Sequence, residues 1–367
     1  MTSDPQHGEP GTRVVPIPLK IAIATYGHTA ALKQGAVDIR GVQAEFLEIK
    51  PIISAFRRMV RTVEFDVCEM APATYMIARA AGAPFKALPV FIFRRFHHGG
   101  LVHRGDGAIE SPHDLEGKRV GVRAYSVTTG IWTRGILANE QGVDTGQVTW
   151  VTDDEEHVPS LQLPPNVQPA PEGHSLAQMM REGELAAAFT GNAGIGRAGA
   201  PVEGWQTPGP GGGSAGAAGS PPAYVELFDD AAAREAQWYR DTGIYPVHGL
   251  IVVKDAVLAA HPELGRALFD AFVASKQHYL EQLAAGINAW ETDAHYRAMA
   301  QIVGDPLPYG VEANRSSIEA MITYCFQQGL LPKKFSVDDM FIDPEAPCDQ
   351  AAQTASDVQV VPAAHPA

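Results

Sequence analysis

His28, Glu69, Arg94, His97, His98 and His248 carry the groups that a protein needs to move protons at a small anionic guest. Imidazoles titrate near neutrality and act as general acids or bases, each typically worth about 10²–10⁴-fold in rate. A guanidinium grips a carboxylate through two parallel hydrogen bonds. Tyr26, Tyr125, Ser126, Thr128 and Thr129 add hydroxyl donors. The segment Tyr125–Thr129 stands between a strand pattern and a helix pattern, where free backbone N–H groups bind anions. His97, His98 and His103 do not form a recognised metal-ligand spacing, because in a strand His98 would point away from the other two, so no metal is expected.

These residues need strands that end at a common cleft. Lys20–Tyr26 and 42–49 read as strands, 51–65 as a helix opened by proline, 65–69 as a short strand and 72–81 as a second proline-led helix. Strands are also expected at 85–93 and 99–103. SPHDLEGKRVGV, from Ser111, reads as a capped single turn leading into a strand at 119–123. Helices at 131–140 and 176–183, strands at 184–190 and 244–254, and helices at 261–285, 293–302 and 312–328 complete the pattern. Strand–helix alternation predicts an α/β fold with mixed, mostly parallel sheets, whose ligands sit at the strands' carboxyl ends.

The chain has 367 residues, which suggests about two domains. Residues 15–105 with 241–340 are expected to build one lobe and 106–240 the other. The Gly-rich stretch 207–222 reads as a flexible loop and 345–367 as a disordered tail. A formal net charge of −14 argues against nucleic acid or an anionic membrane as partner. Cys68, Cys325 and Cys348 are too few and too scattered for a disulfide framework. With no signal-like apolar run near the N-terminus and no membrane-length segment, a cytoplasmic location is expected. Self-association into a homo-oligomer remains open.

DLEGKRVGV, followed by REGELAAAF, resembles the second lobe of type II periplasmic-binding proteins, with two α/β lobes around a cleft. YGHTAAL (26–32), EFDVCEMAPATYM (64–76), FRRFHH (93–98), GVRAYSVTTGIWTRGIL (121–137) and WYRDTGIYPVHGLIVV (238–253) together resemble the 4,5-dihydroxyphthalate decarboxylase family. That resemblance implies a cofactor-independent carboxy-lyase acting on a hydroxylated aromatic dicarboxylate, by ring protonation and loss of CO₂, in phthalate degradation. Arg94 is then expected to hold the retained carboxylate together with the Ser126–Thr129 turn. His97, Tyr26 and Tyr125 would also contact substrate. His28 or His98 would protonate the ring carbon, and Glu69 or His248 would orient or deprotonate a hydroxyl. The rival reading is a non-catalytic solute-binding protein for a small aromatic or other organic acid.

Overall fold

The computed structural model describes residues 15–105, 108–196, 224–287 and 289–344. The loop expected at 207–222 and the tail 345–367 lie outside the described residues. The first lobe begins with β1 (Ile17–Ala22), α1 (Gly27–Lys33), β2 (Val42–Phe46), α2 (Ile53–Thr62), β3 (Val67–Met70), α3 (Pro72–Ala80) and β4 (Phe85–Arg94). β3 is buried along its whole length because elements pack on both faces of its sheet, which is why it reads as an unbroken apolar run apart from Glu69. Pro72 opens α3, where its missing N–H has no helical partner to lose.

Residues 95–100 cross to the second lobe. β5 (Leu101–Arg104) is already paired with strands of that lobe, so the boundary expected at 105 falls before Leu101. β6 (Arg119–Gly121), α4 (Thr128–Asn139), β7 (Thr149–Thr152), β8 (Val167–Pro169), α5 (Leu176–Glu182), β9 (Ala187–Phe189), β10 (Tyr224–Glu226) and α6 (Ala231–Thr242) follow. The chain returns through β11 (Val247–Lys254), which inserts between β3 and β4 and runs antiparallel to both. α7 (Asp255–Ala260), α8 (Leu264–Ala284), α9 (Asp293–Val303), α10 (Arg315–Gln327) and α11 (Val337–Met340) complete the described chain. The strand orders are β2-β1-β3-β11-β4 and β10-β5-β9-β6-β7-β8.

Parallel and antiparallel pairings are thus mixed in both sheets. The helix expected over 261–285 is α8, and the short α7 before it, which was not expected, is separated from it by a break at His261–Glu263 around Pro262.

One apolar cluster packs β1, β4 and β11 against α8, through Ile21, Leu88, Ile92, Ile251, Leu268 and Phe272. A second is continuous between the lobes: Tyr75 and Met76 of the first belong to the same cluster as Trp132 and Trp150 of the second. Burying that surface is the main favourable term holding the two sheets in register with one another. Gly135 permits the closest approach. A Cβ there would lie 2.0 Å from Cδ2 of Tyr324, so α4 can carry the α10 ring on its back only with glycine at that place. Among the described residues no helix is long and apolar enough to cross a membrane.

Candidate active site

α4 starts after the turn that follows β6. Val127 is its N-cap and accepts from Ile131 N–H at 3.1 Å, which leaves the N–H groups of Thr128, Thr129 and Gly130 without a helical carbonyl. Their partial positive charge favours an anion at this helix end. Arg95 reaches across from the interlobe crossover, and its Nη2 donates to Thr129 Oγ1 at 2.7 Å. Arg95 Nε and Thr128 Oγ1 are both buried and without a hydrogen-bond partner. Burial lowers the pKa of Arg95, with the Glu235 carboxylate opposing; a guanidinium stays charged regardless.

Two imidazoles accompany this cation. The rings of His97 and His248 are 5.2 Å apart and tilted by 31°. Trp132 stacks on His97 at 6.4 Å, and Phe93 presents its edge to His248 at 5.5 Å. Thr133 Oγ1 donates to the His97 carbonyl at 3.1 Å, so α4 also fixes the backbone that carries this imidazole. Burial, and then Arg95, push both histidines well below the usual imidazole range. Both are therefore neutral at pH 7 in the ligand-free protein. His97 Nε2 and His248 Nδ1 are buried with no partner. Each such orphan costs about 1–3 kcal/mol, so a cluster of them is a feature that a guest molecule would relieve.

Tyr26, His28 and Glu69 form a second group, at the carboxyl ends of β1 and β3. Tyr26 Oη donates to Glu69 Oε1 at 2.7 Å, and Ala24 N–H donates to Oε2 at 3.0 Å. Tyr26 stacks on His28 with ring centres 5.4 Å apart and planes 2° from parallel. Gly27 makes room: a Cβ there would lie 2.3 Å from Tyr279 Cε2. His28 is buried against Tyr279 and Tyr296, and burial lowers its pKa to about 3.

Burial raises Glu69 to about 7, although Ala24 N–H and Tyr26 Oη both favour its charged form. The native state then keeps a proton that the unfolded chain has released. Stability falls as pH rises from the unfolded value towards about 7. Glu69→Gln removes this dependence. The variant should gain on the wild type by on the order of 3 kcal/mol between about pH 4 and pH 8 in denaturant unfolding. A difference that stays constant with pH would contradict a protonated Glu69.

Four residues expected at the cleft have other partners. Arg94 is turned away from Arg95, since neighbours in an extended chain face opposite sides. Its guanidinium donates to Asn314 Oδ1, to the Tyr245 carbonyl and, at 3.4 Å, to the Pro308 carbonyl, and it lies 4.3 Å from the Tyr245 ring centre. Burial lowers its pKa to about 10. His98 likewise points away from His97, towards α6, with Trp238 at 5.2 Å and Phe228 at 6.2 Å. Burial lowers it to about 4. Tyr125 and Ser126 do bind a carboxylate, but it belongs to Glu156. Tyr125 N–H donates to Glu156 at 2.6 Å and Ser126 N–H at 3.2 Å, joined by the Ser126 hydroxyl.

His97, His248, Thr128 and Thr129 are therefore brought together, whereas Arg94 and His98 are spent elsewhere. Arg95, Phe93 and Glu156 are the residues that sequence reasoning missed. The doublet Arg94–Arg95 was the available signal, since one member had to face the side opposite to the other.

The family model described as "NMT1/THI5 like" matches residues 47–162. The 4,5-dihydroxyphthalate decarboxylase of Comamonas testosteroni is 30% identical over 336 residues, covering 88% of this chain and 96% of that protein. The protein of the same name from Pseudomonas putida is 37% identical over 175 residues, covering 46% of this chain and 67% of that one. Among solved structures, the periplasmic aliphatic sulphonate binding protein SsuA from Escherichia coli is 10% identical with a TM-score of 0.48, covering 96% of this chain and 97% of that one. The desulfurization enzyme DSZB is 13% identical with a TM-score of 0.49, covering 89% and 96%.

Proposed function

The chain belongs to the 4,5-dihydroxyphthalate decarboxylase family, and from that premise we propose that it removes one carboxylate of a hydroxylated aromatic dicarboxylate such as 4,5-dihydroxyphthalate, at the site built by Arg95, Thr128, Thr129, His97 and His248. The observation that carries this reading is the joining of an anion-binding helix end, a guanidinium and two neutral imidazoles with free nitrogens.

Each carboxylate-bearing carbon of 4,5-dihydroxyphthalate has a hydroxyl para to it. One imidazole takes the proton of that hydroxyl, and its oxygen pushes electron density towards the carbon. The other imidazole, charged once the dianion is bound, delivers a proton to the same carbon. The C–C bond then breaks, CO₂ leaves, and the electron pair of that bond restores the aromatic ring as its phenolate, which takes its proton back from the first imidazole while the second is recharged from solvent. The net change is one proton consumed and one CO₂ released, giving 3,4-dihydroxybenzoate. Arg95 and the α4 N-terminus hold the retained carboxylate, because a charge-assisted fork fixes ring orientation as well as charge. Trp132 and Phe93 keep the leaving carboxylate poorly solvated, which favours its departure as neutral CO₂. Tyr26 and Glu69 would meet the far end of the ring, where an acceptor for hydroxyl groups is needed.

The buried thiols Cys68 and Cys325 are not bridged, which suits a reducing compartment and supports placing the activity in the cytoplasm, in the breakdown of phthalates. Incubation of the purified protein with 4,5-dihydroxyphthalate tests the reading. Stoichiometric CO₂ and 3,4-dihydroxybenzoate are expected. Tight binding with no CO₂ would favour the solute-binding alternative.

A further inference from the structure

We propose that Asp154–His157 is a latch that makes closure of the lobes and ordering of the turn that leads into the anion-binding helix end a single event. Four consecutive side chains between β7 and β8 each take a different partner. Asp154 lies between two guanidiniums, Arg57 of α2 in the first lobe at 3.1 Å and Arg123 of the second at 2.8 Å. Glu155 pairs with Arg61 of α2 at 3.1 Å. Glu156 holds the Tyr125–Ser126 turn immediately before α4. His157 Nδ1 shares a hydrogen bond of 3.0 Å with Thr74 Oγ1 of α3. One short segment thus joins two helices of the first lobe to the turn that sets the start of α4 in the second.

The contacts are unequal. Glu155 and Arg61 are largely exposed, and such pairs contribute little. Asp154 is the strong element, with a side chain only 5% exposed. Burial opposes its charge, but Arg123 and Arg57 outweigh that and keep its pKa below the ordinary value. Burial, together with the nearby arginines Arg123 and Arg57, lowers His157 to about 3, so its bond to Thr74 is a neutral one. If the first-lobe arginines are removed, Asp154 keeps Arg123, and no buried charge is stranded. The second lobe should therefore fold normally while the charged part of the tie between the lobes is lost, leaving the His157–Thr74 bond and the shared apolar cluster.

The latch does not depend on any particular reaction, only on an anion that binds at the start of α4. The double variant Arg57→Ala/Arg61→Ala tests it by small-angle scattering and by titration with phthalate, a dicarboxylate lacking the hydroxyls that drive turnover. The ligand-free variant should have a larger radius of gyration than the wild type. It should bind phthalate about 3- to 10-fold more weakly at low salt. Wild-type affinity should fall as NaCl is raised, and the variant's should fall less, since screening acts on charges that it lacks. Circular dichroism confirms the fold, and the single variant Arg57→Gln serves if the double variant is unstable. Equal radii with equal salt dependence would overturn the latch. The ligand-free comparison stands even if 4,5-dihydroxyphthalate is never decarboxylated, so its failure is separable from failure of the enzymatic reading.

Discussion

Arg95→Ala is expected to lower kcat/KM for 4,5-dihydroxyphthalate by about 10²–10³-fold, with little loss of folded protein. Truncating one partner of a buried, hydrogen-bonded charge pair costs about 2–5 kcal/mol, and each 1.4 kcal/mol is tenfold. In the ligand-free protein Arg95 makes one side-chain hydrogen bond, to Thr129, and its Nε is unpartnered. Little of the fold rests on it. Arg94→Ala should do the reverse. It strips the donor from Asn314 Oδ1 and two carbonyls and removes the cation over the Tyr245 ring. The Pro308 carbonyl keeps Asn314 Nδ2 as a donor, but orphaning Asn314 Oδ1 and the Tyr245 carbonyl costs about 1–3 kcal/mol each, so the expected result is a lower Tm with near-normal turnover per folded molecule. Urea unfolding and steady-state kinetics on both variants separate the two roles. A reversed pattern, in which Arg94 carries turnover and Arg95 carries stability, would contradict the placement of the cation.

The second large effect concerns the imidazole pair. His97→Gln and His248→Gln should each reduce kcat by about 10²–10⁴-fold, the usual contribution of a positioned acid or base. Their pH behaviour is the sharper test. Burial and Arg95 lower both groups in the free protein. The acid limb of kcat/KM reports free-enzyme ionisations, so activity should hold as pH falls through the ordinary histidine range near 6.5 and be lost only below it. Arg95→Lys keeps the nearby positive charge and should leave that limb low, whereas Arg95→Ala should move it upward. A limb at the ordinary histidine value that no Arg95 variant shifts would exclude the pair as the titrating groups.

The architecture was legible where side chains repeat with the period of an element. The buried runs at Phe85–Arg94 and Val247–Lys254, and the proline-led α3, were read close to their observed limits. α6 was not foreseen as a helix, and the structure shows why: within AAAREAQWYRDT only Trp238 is buried, so no apolar face marks the period. At the site, residue types were legible and directions were not. β11 shifts register against β4 between Val247 and Ile251, next to the strand end that carries Arg94 and Arg95. That pairing decides which arginine and which of His97 and His98 faces α4, and it exists only in the folded sheet. The Ser126–Thr129 turn was expected to seat the substrate's carboxylate, but the Tyr125 and Ser126 donors already hold a carboxylate of the protein itself. Its owner, Glu156, sits 30 residues away in sequence, within an acidic run that reads as a solvated surface loop.

Crystallography of the protein with bound phthalate probes the site without turnover. The ligand's carboxylate should lie within hydrogen-bonding distance of Arg95 and the first-turn N–H groups of α4, with His97 and His248 flanking the ring. A guest seated instead beside Arg94, or one leaving both imidazoles facing only protein, would refute the assignment.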